Sequence, residues 1–247
     1  MNIFYYTPPD RIIEEWLYLD REEAHHARQV MRLKKGDTLT VVDGVGTAYN
    51  CAIDKSSKNE VRCRIISRVR NYGETMYHVT VAAGLSTGYK FDEVIQRCTE
   101  LGVSRFIPML TDKSKIKIES EKRIKAKLNR WTKVATASMK QTRRSILPVI
   151  EPITDFSAAV DMAKDSPCRV LFDPGYGKKV LDAVKFTSDS NRICLFFGPE
   201  SGFSPNEARD AEERHFEIVT LGKRILRTEN ASPAGVAIVM NLIGELR

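Results

Sequence analysis

Residue types suited to chemistry concentrate in three short segments of this chain. LFDPGYGK (Leu171–Lys178) places two glycines and a proline directly after an apolar run. FFGPESGFSPNE (Phe196–Glu207) repeats the pattern with Gly198, Pro199, Glu200 and Gly202. LGKRILRTENASPAG (Leu221–Gly235) sets Lys223, Arg224 and Arg227 beside Glu229 and Asn230, between the apolar runs HFEIVTLG and VAIVMNLIGEL. Glycine permits close backbone approach to a ligand, and a cluster of cations suits a negatively charged one. No G-K-S/T follows the glycines and no G-x-G-x-x-G occurs, so a P-loop and a Rossmann dinucleotide site both lose support. Residue types alone leave two readings open: tight structural turns, or loops over a bound ligand.

The elements around these segments say where they lie. From Tyr77 onward, strand-length apolar runs alternate with amphipathic helices. YHVTVAAGL, SRFIPML, CRVLFDPG, RICLFFGPE and HFEIVTLG read as strands that are apolar on both faces, the signature of a parallel sheet covered by helices. Phe91, Val94, Ile95, Cys98 and Leu101 form one helical face, and Ile124, Leu128, Trp131, Ala135 and Met139 another on a long basic helix from about Ser120 to Lys140. Ser204, Pro205 and Glu207 are the N-cap, N1 and N3 of a capping box. In such a sheet, ligands bind beyond the carboxyl ends of the strands, where all three segments fall. The final helix has Val236, Val239, Met240, Ile243 and Leu246 at helical spacing, broadened by Ala237, Ile238 and Leu242. So wide an apolar face has more than one neighbour, and a second subunit is a reasonable one. Residues 1–72 read differently: NIFYY, WLYLD, DTLTVVDG, TAYNCAID and EVRCRIISRV are short strands. The helix REEAHHARQVMR interrupts them, with Ala24, Ala27, Val30 and Met31 on one face. A small β-barrel followed by an α/β domain over 73–247 is expected.

Bulk properties narrow the class. The 247 residues are 42% hydrophobic and 29% charged, normal for a soluble protein. No apolar run reaches the roughly 18–20 residues of a membrane span. The opening MNIFYYTPPD lacks the pattern of a secretory signal, so a cytoplasmic location is expected. The five cysteines are scattered and read as reduced, buried thiols. His25 and His26 are adjacent, and His78 and His215 stand alone, so no metal is expected. The net charge is +7, yet Lys113 to Arg144 alone holds twelve Lys/Arg against two Glu. So local an excess leaves two readings open, a polyanionic partner or a solvated helix face.

The pair GPESGFSPNE and LGKRILRTENA resembles the C-terminal signatures of a SPOUT-type RNA methyltransferase, specifically the ribosomal RNA small subunit methyltransferase E family. The pattern there is close to G-P-E-G-G followed by L-G-x-R-[IV]-L-R-x-E-T-A. Gln96, Arg97, Glu100, Leu101, Gly102 and Val103 match its Q-K-x-x-E-L-G-V segment, with Arg for Lys. His26, Val30, Met31, Arg32, Gly36 and Asp37 match its N-terminal H-x-x-x-V-L-R-x-x-x-G-D, with Met for Leu. Arg130, Trp131, Gln141, Arg144 and Pro148 fit the long helix and its exit. The chain departs at Ser201 for Gly, Asn230 for Thr or Ala, Lys140 for Glu and Arg143 for Gly, and an arginine usual near the start is absent.

The resemblance implies a PUA-like β-barrel at the N-terminus and a parallel-sheet methyltransferase domain with a C-terminal trefoil knot. It implies a homodimer through the last helix, and S-adenosylmethionine (SAM) held by three loops, Leu171 to Gly177, Gly198 to Gly202 and Leu221 to Thr228. The cofactor residues would be Leu171, Phe172, Gly198, Pro199, Glu200, Gly202, Leu221, Gly222, Ile225, Leu226, Arg227 and Thr228. The reaction would methylate N3 of one uridine in 16S ribosomal RNA of the small subunit. N3 is a poor nucleophile until its proton leaves, and the resulting charge spreads onto O2 and O4. Arg227, then Arg224, is the cation placed to stabilise it; an ion pair of Arg227 with Glu229 or Glu200 is the competing structural role. Glu200 or Glu229 could be the base, though Glu229 could instead serve the last helix's N-terminus. Arg32, Lys90, Arg143, Arg144 and the helix from Lys122 to Lys133 are expected to contact RNA. Methylation of a ribose 2′-OH or of another RNA, and non-catalytic RNA binding on the same fold, are the alternatives.

Overall fold

The computed structural model describes residues 4–116, 120–177, 179–181 and 191–246. Two compact units make up the chain: residues 1–74 with 136–147, and residues 75–135 with 148–247.

The first unit is built on strands β1 (Tyr5–Tyr6), β2 (Ile12–Ile13) and β3 (Trp16–Leu19), helix α1 (Arg21–His25), and strands β4 (Thr38–Val42), β5 (Thr47–Ser56) and β6 (Val61–Arg70). They form one sheet in the order β1-β4-β5-β6-β3-β2. All pairs are antiparallel except β1 with β4. Period-2 burial puts Leu39, Val41, Cys51, Ile53, Val61 and Cys63 into one core with Leu17 and Leu19. Asp20 caps α1 by accepting from the Glu23 amide at 2.9 Å. The helix then widens into a π-helical stretch, His26–Val30. That wider turn corrects the expected apolar face: Ala24 and Ala27 are buried, whereas Val30 and Met31 stand exposed.

Two charged residues that seemed free in sequence are structural. Arg144 was expected on RNA, but only 3% of its side chain is exposed, and its Nε and Nη2 both donate to Glu74 Oε2, at 3.1 and 2.7 Å. Glu74 Oε1 also accepts from the Ser145 and Ile146 amides, each at 2.8 Å. A guanidinium so enclosed cannot reach phosphate. Lys140 pairs with buried Glu23, whose carboxyl is pushed up by burial and pulled back by that cation. Arg143 is exposed with φ +61°, the left-handed region that explains glycine at this position in the family pattern.

The second unit runs β7 (His78–Gly84), α2 (Lys90–Glu100), β8 (Arg105–Leu110), α3 (Glu121–Gln141, from residue 136 counted with the first unit), β9 (Val149–Ile150), β10 (Thr154–Asp155), α4 (Phe156–Met162), β11 (Cys168–Phe172), β12 (Lys179–Val180), β13 (Arg192–Phe197), α5 (Pro205–Glu213), β14 (Glu217–Thr220) and α6 (Thr228–Leu242). The sheet order is β10-β8-β7-β13-β11-β14-β12, with β9 also on β8, and every pairing is parallel. The inner strands are buried almost end to end, as their unbroken apolar runs required. Ile107, Leu171, Phe196 and Phe203 share a core with Phe156 of α4 and Ala208 of α5. On α2, Phe91, Val94, Ile95 and Cys98 are buried, and Leu101 is only half-buried because the helix ends there. In α6, Val236, Val239 and Met240 are buried while Ile238 and Leu242 are exposed; the helix ends at Leu242, so Ile243 caps it and Leu246, also exposed, lies beyond it rather than on the expected helical face.

Among the described residues, no helix is long and apolar enough to cross a membrane, and no group of three or more His, Cys, Asp or Glu could hold a metal ion. All five cysteines are free thiols. Burial pushes Cys51, Cys63 and Cys194 up to about 12 and half-buried Cys168 up to about 11. Thiol titration at pH 8 should therefore find almost no fast-reacting cysteine in the native protein and all five after unfolding. Glu74→Ala, which strands a buried guanidinium and two amides, should lower stability by about 3–5 kcal/mol in chemical denaturation.

Candidate functional site

Strands β13, β11 and β14 are neighbours and all point the same way, so the chain leaves each of them on one edge of the sheet. Their loops meet there. A cleft of about 980 Å³ opens between them, lined by Phe172–Tyr176, Phe197–Phe203 and Thr220–Thr228, with Lys113 and Ala231. That volume is at the upper end of small-molecule sites.

The loops are locked by a few polar contacts. Asp173 is 5% exposed, and its Oδ1 accepts from the Gly175 and Tyr176 amides at 2.7 and 3.1 Å. Its Oδ2 accepts from the Phe203 amide at 3.3 Å. One carboxylate thus folds the first loop into an Asx turn and ties it to the second. Thr228 Oγ1 donates to the Gly198 carbonyl at 2.9 Å, tying the third loop to the second. Gly84, at the end of β7, lies so close that an added Cβ would sit 2.4 Å from the Pro199 nitrogen.

The capping box forms as read. The Ser204 amide donates to Glu207 Oε2 at 2.7 Å, and the Glu207 amide donates to Ser204 Oγ at 3.2 Å. Both partners also reach the β8 loop: Glu207 Oε1 accepts from the Asp112 amide at 2.9 Å, and Ser204 Oγ donates to Asp112 Oδ2 at 2.6 Å. Ser201 fits where the family pattern has glycine because the left-handed residue is Gly202, φ +69°. Its hydroxyl donates to the Lys113 carbonyl at 3.0 Å.

The expected site residues distribute as follows. Phe172, Gly198, Pro199, Glu200, Gly202, Leu221, Gly222, Ile225, Leu226, Arg227, Thr228 and Arg224 all line the cleft. Leu171 does not: it is fully buried in the sheet core, one residue too early to reach the strand end. Glu229 does not either. It is buried on α6 away from the lining, with no partner on its Oε2. Helix geometry accounts for this, because one step past Thr228 turns the side chain about 100° around the axis. Arg224 and Arg227 are exposed, and Arg227 pairs with neither Glu229 nor Glu200. Glu200 pairs with Lys90, the first residue of α2, so Lys90 meets the cleft rim through that carboxylate. Arg32 lies exposed in the first unit, as Arg143 does. Lys178 lies outside the described residues.

Sequence reasoning missed Asp173 and Lys113. Asp-Pro-Gly after an apolar strand is a turn signal that could have flagged Asp173; nothing in the spacing flags Lys113. Another departure is coupled. Arg97 Nη1 donates to the Glu229 carbonyl and to Asn230 Oδ1, at 3.0 and 3.1 Å, while Nη2 donates to Glu93 at 2.7 Å. Arg97 for Lys and Asn230 for Thr therefore make one contact between α2 and α6. Asp173→Ala should cost about 2–4 kcal/mol of stability by stranding three amides. Asp173→Asn should cost less, because its amide oxygen can still accept in the Asx turn, and thermal melts of the two variants would show the order.

Comparison with known proteins agrees with this architecture. An RNA methyltransferase domain model matches residues 73–240, and an RNA methyltransferase PUA domain model matches 19–66. The Synechocystis ribosomal RNA small subunit methyltransferase E is 31% identical over 95% of this chain and 76% of its own length. The Bacillus subtilis protein of the same name is 31% identical over 85% and 84%. The Neisseria gonorrhoeae protein of that name, solved with S-adenosyl methionine bound, superposes with a TM-score of 0.85 at 26% identity, covering 98% of both chains. A Legionella pneumophila methyltransferase solved with bound SAM gives 0.86 at 25% identity over 98% of both. This chain belongs to the ribosomal RNA small subunit methyltransferase E family.

Proposed function

We propose that this protein transfers the methyl group of SAM to N3 of a specific uridine in 16S ribosomal RNA. The observation that carries the reading is the convergence of the three family loops on one cleft, with Arg227 exposed on its wall. The cleft fits the cofactor. Ile225 is 82% exposed although it lines a cleft, and with half-exposed Leu226 it offers an apolar wall for a flat base. Gly198, Leu221 and Gly222 bring backbone groups to the same space. Bound there, SAM supplies a methyl on a cationic sulfur that leaves as a thioether.

The chain's own residues prepare the nucleophile. Arg227 stabilises the negative charge that reaches O2 and O4 as N3 loses its proton, and Arg224 supports it. Of the two carboxylates considered as base, Glu200 lines the cleft and Glu229 does not, which supports Glu200, the ion-pair partner of Lys90, as the group that takes the imide proton. Arg32, Arg143 and the exposed Lys122, Arg123, Lys125 and Lys133 of α3 serve as phosphate contacts. In this reading residues 1–72 are the RNA-binding module, the chain after β14 threads a trefoil knot, and two copies pair in the cytoplasm along Ile238 and Leu242 of α6 and Leu246 just beyond it.

The test is methylation of small ribosomal subunits and of bare RNA, read by primer extension. N3-methyluridine blocks the pairing edge and should stop the polymerase at one uridine. Label transferred elsewhere without that stop points to a ribose or another RNA, and cofactor binding without transfer points to a non-catalytic protein. Arg227→Ala should lower kcat/KM about tenfold or more, roughly 1.5–3 kcal/mol, with the fold intact. Full activity in that variant rules out its role. Light scattering checks the homodimer.

A further inference from the structure

Beside the cleft, the start of α2 presents an arrangement that the fold does not require. Tyr89 is the N-cap residue of α2, and its carbonyl accepts from the Asp92 and Glu93 amides at 3.0 and 3.3 Å. The residue is 68% exposed. The Arg130 guanidinium lies over that ring, 4.9 Å from the centroid. Arg130 is not loose: its Nη2 donates to Asp92 Oδ1 at 2.9 Å, and the same oxygen accepts from Trp131 Nε1 at 2.9 Å. Trp131 is itself buried against Phe91, with ring centroids 4.6 Å apart. The cation that backs the tyrosine is thus tied to the core through Asp92, while the tyrosine itself is largely exposed. The next residue, Lys90, pairs with Glu200 on the cleft wall.

We propose that Tyr89, backed by Arg130, is a stacking platform for an unpaired nucleobase of the RNA, next to the uridine delivered to the cleft. A large ring left in water contributes nothing to the core, and a base can cover it. Aromatic faces backed by arginine bind unstacked bases with little regard to sequence. The surroundings favour RNA over a protein partner, because Lys122, Arg123, Lys125 and Lys133 of α3 are exposed on the element that supplies Arg130. A target uridine has to be splayed from its neighbours to expose N3. A neighbouring base then loses its stacking partner, and the platform replaces it. The inference rests on the functional reading above, since it takes the RNA to be the methylation substrate.

Three variants test it: Tyr89→Ala, Tyr89→Phe and Tyr89→Trp. In methyl transfer to small-subunit RNA, Tyr89→Ala should raise KM for RNA about fivefold or more, leaving KM for SAM within about twofold. Tyr89→Phe should stay near wild type, since it keeps the ring. With S-adenosylhomocysteine bound, emission of the Tyr89→Trp variant should be quenched by a single-stranded RNA oligonucleotide and not by its duplex, relative to wild type. An unchanged RNA KM in Tyr89→Ala, or equal responses to single strand and duplex, overturns the platform. If wild-type protein transfers no methyl to RNA, the functional reading fails; if it does and Tyr89→Ala matches it, only the platform fails.

Discussion

Parallel strands that sit side by side must end on the same edge, and the rest of this molecule's chemistry hangs on that constraint. β13, β11 and β14 lie next to one another, with Val170 opposite both Leu195 and Glu217. Segments separated by tens of residues in the chain therefore arrive at one place. The Asp173 carboxylate and the Thr228 hydroxyl then join loops that the sheet has already brought together. The cost of closing these long-range contacts is met largely by the buried apolar strands, and few hydrogen bonds are needed to finish the site.

The charges divide along the same line. Those enclosed by the fold are paired: Arg144 with Glu74 and Lys140 with Glu23. Those at the cleft, Arg224 and Arg227, are exposed and make no ion pair with Glu229 or Glu200. A cation kept without a carboxylate neighbour can respond to charge that appears on a ligand. A cation already engaged in the core cannot, which is why burial separates Arg144 from its neighbour Arg143 despite identical chemistry.

Much of this was legible in the residue order, for reasons particular to each element. Unbroken apolar runs identified β7, β8, β11, β13 and β14, and the Ser204–Pro205–Glu207 spacing located the start of α5 to the residue. Strands β2, β9, β10 and β12 were not foreseen, because two residues carry no periodicity. Helix α4 was not foreseen either, because its seven residues make fewer than two turns and leave too few apolar positions to set a period. The π-helical stretch after α1 shifted Val30 and Met31 outward, a change of pitch that a fixed 100° step cannot anticipate. Arg144 misled because a sequence shows charge without showing enclosure. Leu171 misled by a single position at the end of a strand.

The Arg97–Asn230 contact has a bearing on how such proteins can be recombined. It spans α2 and α6, which lie more than a hundred residues apart in the chain, and it replaces two residue types of the family pattern together. A chimera that imports a relative's C-terminal segment alone would leave Arg97 facing alanine, which has no acceptor, or threonine, whose hydroxyl oxygen is carried on a shorter side chain than the Asn230 amide. Exchange of both helices keeps the pair whole. Inheritance here is by contact, and a crossover placed between the two helices divides a unit that the linear order does not mark.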